Sequence, residues 1–253
     1  MYSYVREPPH HQAEPGAVRP ARGGDRAAQR DRGIDTTLTL ALTHEIWSYA
    51  DVPGGGEVVA ARQASVRRFA AAIFAHTATG GLWVNSDVCG PADPDREVVL
   101  RLTDADGNNP GVVEDLGLRS VIAAVVAGMS TRARFFQFAH DFRRNASVPF
   151  EYDELPDGGL RVRLADAMDF LTRKDYTDNW LSETHEQFCG LTFDDWCAVV
   201  RDAGFEVDPA SKPWRNAWIV DHRIAPVASL TDAVTGEPVG WPDTHLLLVA
   251  RRN

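Results

Sequence analysis

The sequence predicts an α/β fold, and three observations carry that prediction. Residues 34–90 read strand, helix, strand, the unit that builds a parallel sheet. The middle of the chain reads as helices around one hairpin signal. A last apolar run, THLLLVARR (244–252), reads as a closing strand.

The elements follow in order. IDTTLTLALT (34–43) is β-branched and apolar with a polar cluster behind it, which predicts a buried strand. HEIWSYADVPGGGE then leads into a stretch where Val59, Val66, Phe69, Ala70, Ile73 and Phe74 recur at helical spacing. That predicts a helix over about 57–77, ended by Gly80-Gly81. GLWVNSDV (81–88) is the next strand, and EVVLRLTDADGNN (97–109) is a short strand and a turn. Residues 115–144 offer one or two helices. Residues 150–164 alternate around Pro156-Asp157-Gly158-Gly159, a hairpin signal. ADAMDFLTRK (165–174) is helical, and TFDDWCAVVRDAGF (192–205) is a helix with Thr192 as N-cap and Gly204 at its end. FEVDPAS follows as a strand. No internal repeat is visible.

A boundary falls at Ile34. Residues 6–33 hold four Pro and one large apolar residue, Val18, so they cannot bury enough surface to offset their ordering entropy. The expectation is a disordered Arg/Pro/Gly-rich tail over 1–33 and a folded domain over 34–253. Three readings of the tail stay open: a solvated segment, a binding tail, or GC-rich text read out of frame.

Composition narrows the function. At 253 residues the chain can build a core without disulfide or metal staples. No apolar run is long enough to span a bilayer, and no apolar h-region opens the sequence. Cys89, Cys189 and Cys197 are too few for a disulfide framework and suit a reducing compartment, so the expected location is cytoplasmic. The net charge is −10, with the excess of acid beyond residue 34. Such a body has no electrostatic footprint for nucleic acid.

Several motifs, in this order, resemble the second half of a class I S-adenosylmethionine-dependent methyltransferase. IDTTLTLALTHEIWSY resembles that fold's fourth strand and the turn after it, and GGLWVNSDVCGP its fifth strand. The segment from LADAMDFL through HEQFCGLTFDDW to RDAGFEV resembles the C-terminal part of a bacterial subgroup. TGEPVGWPDTHLLLVARR resembles that subgroup's last hairpin. The resemblance covers roughly 34–90 and 160–252. It implies a partial, Rossmann-like methyltransferase sheet with helical and β-hairpin additions, the helical cap lying over about 110–205. S-adenosyl-L-methionine is the implied cofactor, and a small molecule the implied methyl acceptor. The pattern departs in one respect: no strand leading into G-x-G precedes Ile34, and Gly23-Gly24 follows no strand. The chain is therefore expected to lack the main cofactor-binding half and to be truncated relative to the family. That leaves a hydrophobic edge on the first strand, a pairing hazard through which a homo-oligomer would form.

Methyl transfer from a sulfonium needs in-line positioning and a proton acceptor for the nucleophile. The resemblance puts such groups just past the fourth and fifth strands. It nominates His44 and Asp87 as catalytic, Thr43 and Glu45 as cofactor-binding, and Asn85 and Ser86 as their neighbours. Trp47 and Tyr49 are candidate walls of the adenine or acceptor pocket. Glu183, His185, Glu186 and Gln187 form a polar cluster that would face the acceptor from a lid. Structural roles stay open beside these: capping for His44 and Glu45, core for Trp47 and Tyr49, an exposed helix face for the cluster. A non-catalytic remnant that binds or dimerises is the competing function.

Other look-alikes fail on spacing. Pro53-Gly54-Gly55-Gly56 lacks the Lys-Ser/Thr of a phosphate loop. Asp104, Asp106 and Asn108 have no Glu at the twelfth position of a calcium loop, so a tight turn is expected. His185, Cys189 and Cys197 fit no zinc pattern.

Overall fold

A computed structural model describes residues 33–52, 57–114 and 119–253. The tail expected before Gly33 and the Pro53-Gly54-Gly55-Gly56 run lie outside the described residues. Ile34–Asn253 cluster as one compact unit.

The strand–helix–strand unit forms. β1 (Ile34–Leu40) runs parallel to β2 (Thr77–Val88), with α1 (Thr43–Ser48) and α2 (Val58–His76) between them. α1 replaces the expected turn. α2 buries Arg62, Val66 and Ala70 at intervals of four, with Val66 and Ala70 in the apolar core of the first sheet. Two expectations are corrected. Gly80-Gly81 does not cap α2: the helix stops at His76, where the Thr77 hydroxyl donates to the Ile73 carbonyl at 2.7 Å. The glycines instead lie inside β2, at a bulge where the register with β1 slips between Ile34 and Thr36. Gly80 has φ of 78°, and a Cβ on Gly81 would crowd the Asp35 carbonyl at 3.0 Å. The second correction concerns β1, which is an edge strand and largely open. Leu38 is 59% and Leu40 61% exposed, because no described element packs on that face or pairs with that edge.

β3 (Glu97–Leu102), α3 (Arg119–Gly128) and α4 (Thr131–Ala146) follow. Ser130 caps α4, and Asp106 accepts from the Thr131 amide and hydroxyl, so the calcium-loop look-alike is a helix-entry turn. The expected hairpin is β4 (Tyr152–Glu154) and β5 (Leu160–Arg163), running straight into α5 (Leu164–Arg173) and then the short α6 (Trp180–Glu183). α7 (Phe193–Asp202) starts with a capping box between Thr192 and Asp195. Then come β6 (Glu206–Val207), β7 (Lys212–Trp214), α8 (Ala217–Ile219) with a π-helical continuation Val220–Ile224, β8 (Ala228–Asp232) and β9 (His245–Arg251).

Among the described residues the strands form two sheets. The first has the order β1-β2-β9-β6, with β7 also on the outer side of β9; β9 is antiparallel to β2. The second is antiparallel throughout, in the order β4-β5-β3-β8. The expected last hairpin is thus not one. β8 belongs to the second sheet, and the segment leading to β9 folds back on it only as far as Val239, whose amide donates to the Leu230 carbonyl at 2.9 Å beside a Thr231–Pro238 bridge. Each sheet has its own apolar core. Trp83, Phe205 and Leu248 lie between the first sheet and its helices. Phe135, Phe138, Phe142, Phe150 and Phe170 interlock beside the second. The whole is a mixed α/β unit, and among the described residues no helix is long and apolar enough to cross a membrane.

Candidate functional site

β1 and β2 are parallel neighbours, with Leu40 opposite Ser86, so the residues just past their carboxyl ends must meet. Thr43 and His44 open α1 there, and Asp87 stands near the end of β2. One Asp87 oxygen accepts from the amides of Leu42 at 3.0 Å, Thr43 at 2.5 Å and His44 at 3.3 Å, and from the Thr43 hydroxyl at 2.6 Å. The carboxylate therefore caps α1 from outside and satisfies amides that the helix leaves unpaired. Its other oxygen takes the Val88 amide and lies 2.6 Å from His44 Nδ1. A chain of hydrogen bonds backs this up: Trp83 Nε1 donates to Thr39, Thr39 to Asn85, and Asn85 to the Thr43 hydroxyl.

A segment after α6 closes the far side. Glu186 Oε2 stands 3.5 Å from His44 Nε2, and Glu186 Oε1 accepts from the Tyr49 hydroxyl at 3.1 Å. The Phe188 ring meets His44 edge-on at 4.8 Å between centroids, and His185 stacks on Tyr49 at 4.7 Å. Gln187 Oε1 accepts from both Trp47 Nε1 and Arg62 Nη1 at 2.9 Å. Arg62, 2% exposed, also donates to the carbonyls of Ser48 and Ala146, tying α2 to α1 and α4. Arg173 holds the segment by donating to the Glu183 and Glu186 carbonyls. Its partner Asp169 accepts from the Phe188 amide at 2.8 Å.

The electrostatics follow from burial and pairing. Burial alone would lower the His44 pKa, but hydrogen bonds to Asp87 and Glu186 and their charges outweigh it and raise it to about 9. For Asp87 burial works upward, yet the bonds to His44 and Thr43 hold its carboxyl below the usual range. Burial, and then the Glu186 charge, push Glu183 up to about 7; its Oε2 is buried and has no hydrogen-bond partner among the described residues. Burial and Glu186 also push the Tyr49 phenol up to about 12, so it stays a donor.

The arrangement is an imidazolium clamped between two carboxylates. At neutral pH it donates from both nitrogens and becomes a proton acceptor only if the Glu186 contact opens. Of the residues nominated from sequence, Thr43, His44, Asp87, Trp47, Tyr49, Glu183, His185 and Gln187 are brought together. Glu45 is on the same helix but exposed, and its side chain makes no hydrogen bond among the described residues. Trp47 is buried core, while Tyr49 is half exposed. Arg62, Asp169 and Arg173 were not nominated, because buried arginines on helices have no signature in a single sequence.

Comparison of the chain with family models, curated proteins and solved structures finds no match. Function therefore rests on the site itself.

Proposed function

We propose that the chain is the acceptor-side half of a class I S-adenosylmethionine-dependent methyltransferase, acting on a small-molecule acceptor. The observation that carries this reading is the meeting of His44 and Asp87 past the ends of two adjacent parallel strands, where an open α/β sheet holds its ligands. The antiparallel final strand beside β2 fits the same reading. The carboxylates of Asp87 and Glu186 outnumber the single His44 imidazolium between them, a balance that favours a cationic ligand, and a sulfonium is one.

The described residues do not by themselves fit the whole cofactor. Among the described residues β1 has a bare outer edge, and no Gly-rich turn follows a strand on that side. No methyl-transfer step is therefore assigned to these residues alone. His44 and Glu186 hold a proton between them, and Tyr49 and Phe188 wall the space around it.

The bare, apolar edge of β1 favours a second reading, a non-catalytic module that pairs through Leu38 and Leu40. Calorimetric titration of the chain with S-adenosylmethionine and S-adenosylhomocysteine separates the two. Micromolar binding supports the methyltransferase reading. A folded chain that binds neither overturns it. Sedimentation would then show a dimer that Leu38→Lys dissociates, if the pairing reading holds.

A further inference from the structure

Tyr49 borders an open hollow beside the His44 site. The hollow has a volume of about 490 Å³ and is lined by Tyr49, Asn145, Leu181, Ser182 and His185. They come from the end of α1, the end of α4, and α6 with the turn after it. Small-molecule sites take roughly 300–1,000 Å³, so the space suffices for a ligand. Two aromatic rings make part of the wall: Tyr49 and His185 stack at 4.7 Å between centroids, with 27° between their planes. Tyr49 is 50% exposed and Leu181 40%, so the wall offers apolar and aromatic surface to whatever enters.

The hollow is also electronegative. Among the described residues its wall holds no Lys or Arg. Glu186 Oε1 accepts from the Tyr49 hydroxyl at 3.1 Å, and Glu45 stands one helical turn before Tyr49. Burial first, and then the charges of Glu186, Glu45 and Glu183, push the Tyr49 phenol up to about 12, so three carboxylates act on that ring. The His44 imidazolium brings one positive charge, and it is already shared between Asp87 and Glu186. An aromatic ring in a negative field attracts a cation through its quadrupole and through the charges around it. An anion meets repulsion from both.

We infer that this hollow binds a small organic ammonium, held against the Tyr49 and His185 rings in the field of Glu45 and Glu186. This names the acceptor as an amine and rests on the methyltransferase reading for that role, but binding itself needs no cofactor.

The test titrates the full chain, without S-adenosylmethionine, with choline and with 3,3-dimethyl-1-butanol. The two share a shape and differ by one positive charge. NMR follows the ring signals of Tyr49 and His185. Choline should bind at least about fivefold more tightly than the alcohol, and the gap should narrow as salt rises from roughly 0.01 to 1 M. Tyr49→Leu, which keeps an apolar side chain but no ring, should bring the two probes level. Glu45→Gln removes an exposed charge that holds no bond in the fold, so it should weaken choline about twofold at an unchanged melting temperature and leave the alcohol as it was. Equal affinity for the two probes, no binding of choline, or shifts only at other rings overturns the inference. A choline preference unchanged in Tyr49→Leu or in Glu45→Gln does the same. Choline binding by a chain that takes no S-adenosylmethionine would leave the hollow's assignment standing and sink only the methyltransferase reading.

Discussion

His44 Nδ1 and Asp87 Oδ1 are 2.6 Å apart, although 43 residues separate them in the chain. Two parallel strand ends make the approach, and the first turn of α1 makes it rigid, since the same carboxylate also receives that turn's amides. One side chain thus sets both a helix start and an imidazole charge.

Asp87→Asn should lower the His44 pKa from about 9 toward the ordinary 6.5, read from its ring proton shift. It should also cost about 3–5 kcal/mol in urea unfolding, because His44 and the helix amides lose a buried partner. The pH dependence has a definite sign. A histidine whose folded pKa is raised contributes fully below the unfolded value and loses that contribution as pH rises through the folded one. Wild-type stability should therefore fall between pH 6.5 and about 9, and the fall should be much shallower in the variant.

Glu183 works the other way. Its folded pKa, about 7, lies above the ordinary 4.5, so the folded state keeps a proton that the unfolded chain releases. Stability then declines from pH 4.5 to about 7 and levels beyond. Glu183→Gln should remove that decline, with a gain of about 1–3 kcal/mol above pH 7 and little at pH 4.5. Melting curves at the two pH values check it.

Arg62→Met keeps much of the side-chain volume but removes one of the two donors to Gln187 Oε1 and the guanidinium donors to the Ser48 and Ala146 carbonyls. Orphaned buried acceptors cost about 1–3 kcal/mol each when water cannot reach them. A loss of about 3 kcal/mol is expected in chemical denaturation, with Arg62→Lys recovering part of it.

Gly190 lies against the Trp47 indole, and a Cβ there would land on the ring. Gly190→Ala should push Trp47 off its bond to Gln187 and cost about 1–3 kcal/mol. A shift in tryptophan emission with the lowered melting point would report it.

What was legible in the sequence was what periodicity and topology dictate. The helical spacing of Val59, Val66, Phe69, Ala70, Ile73 and Phe74 led to α2, and the apolar run GLWVNSDV to β2. The resemblance to a methyltransferase nominated His44 and Asp87, and the parallel pairing of β1 with β2 brings them together. Burial of β1 was misjudged because β-branched, apolar text reads the same in a central strand and in an uncovered edge strand. Gly80-Gly81 was misread because a glycine pair marks a bulge as readily as a helix end. β7, α8 and β8 were invisible, since three to five residues carry no period.

The position of β9 within the first sheet bears on how the chain is made. β9 lies in the sheet's interior, between β2 and the β6–β7 side, yet Trp83 waits for Ala250, more than 150 residues downstream. At about 5–20 residues per second, a ribosome leaves that side of β2 unsatisfied for roughly 10–30 s. Throughout that interval the nascent β1–β2 pair carries, among the described residues, two open edges and the exposed Leu38 and Leu40. The second sheet, whose strands also close late through β8, gives no shelter to it. Yield in a cell should therefore depend on holdase chaperones and on slow growth temperature more than on the stability of the finished fold.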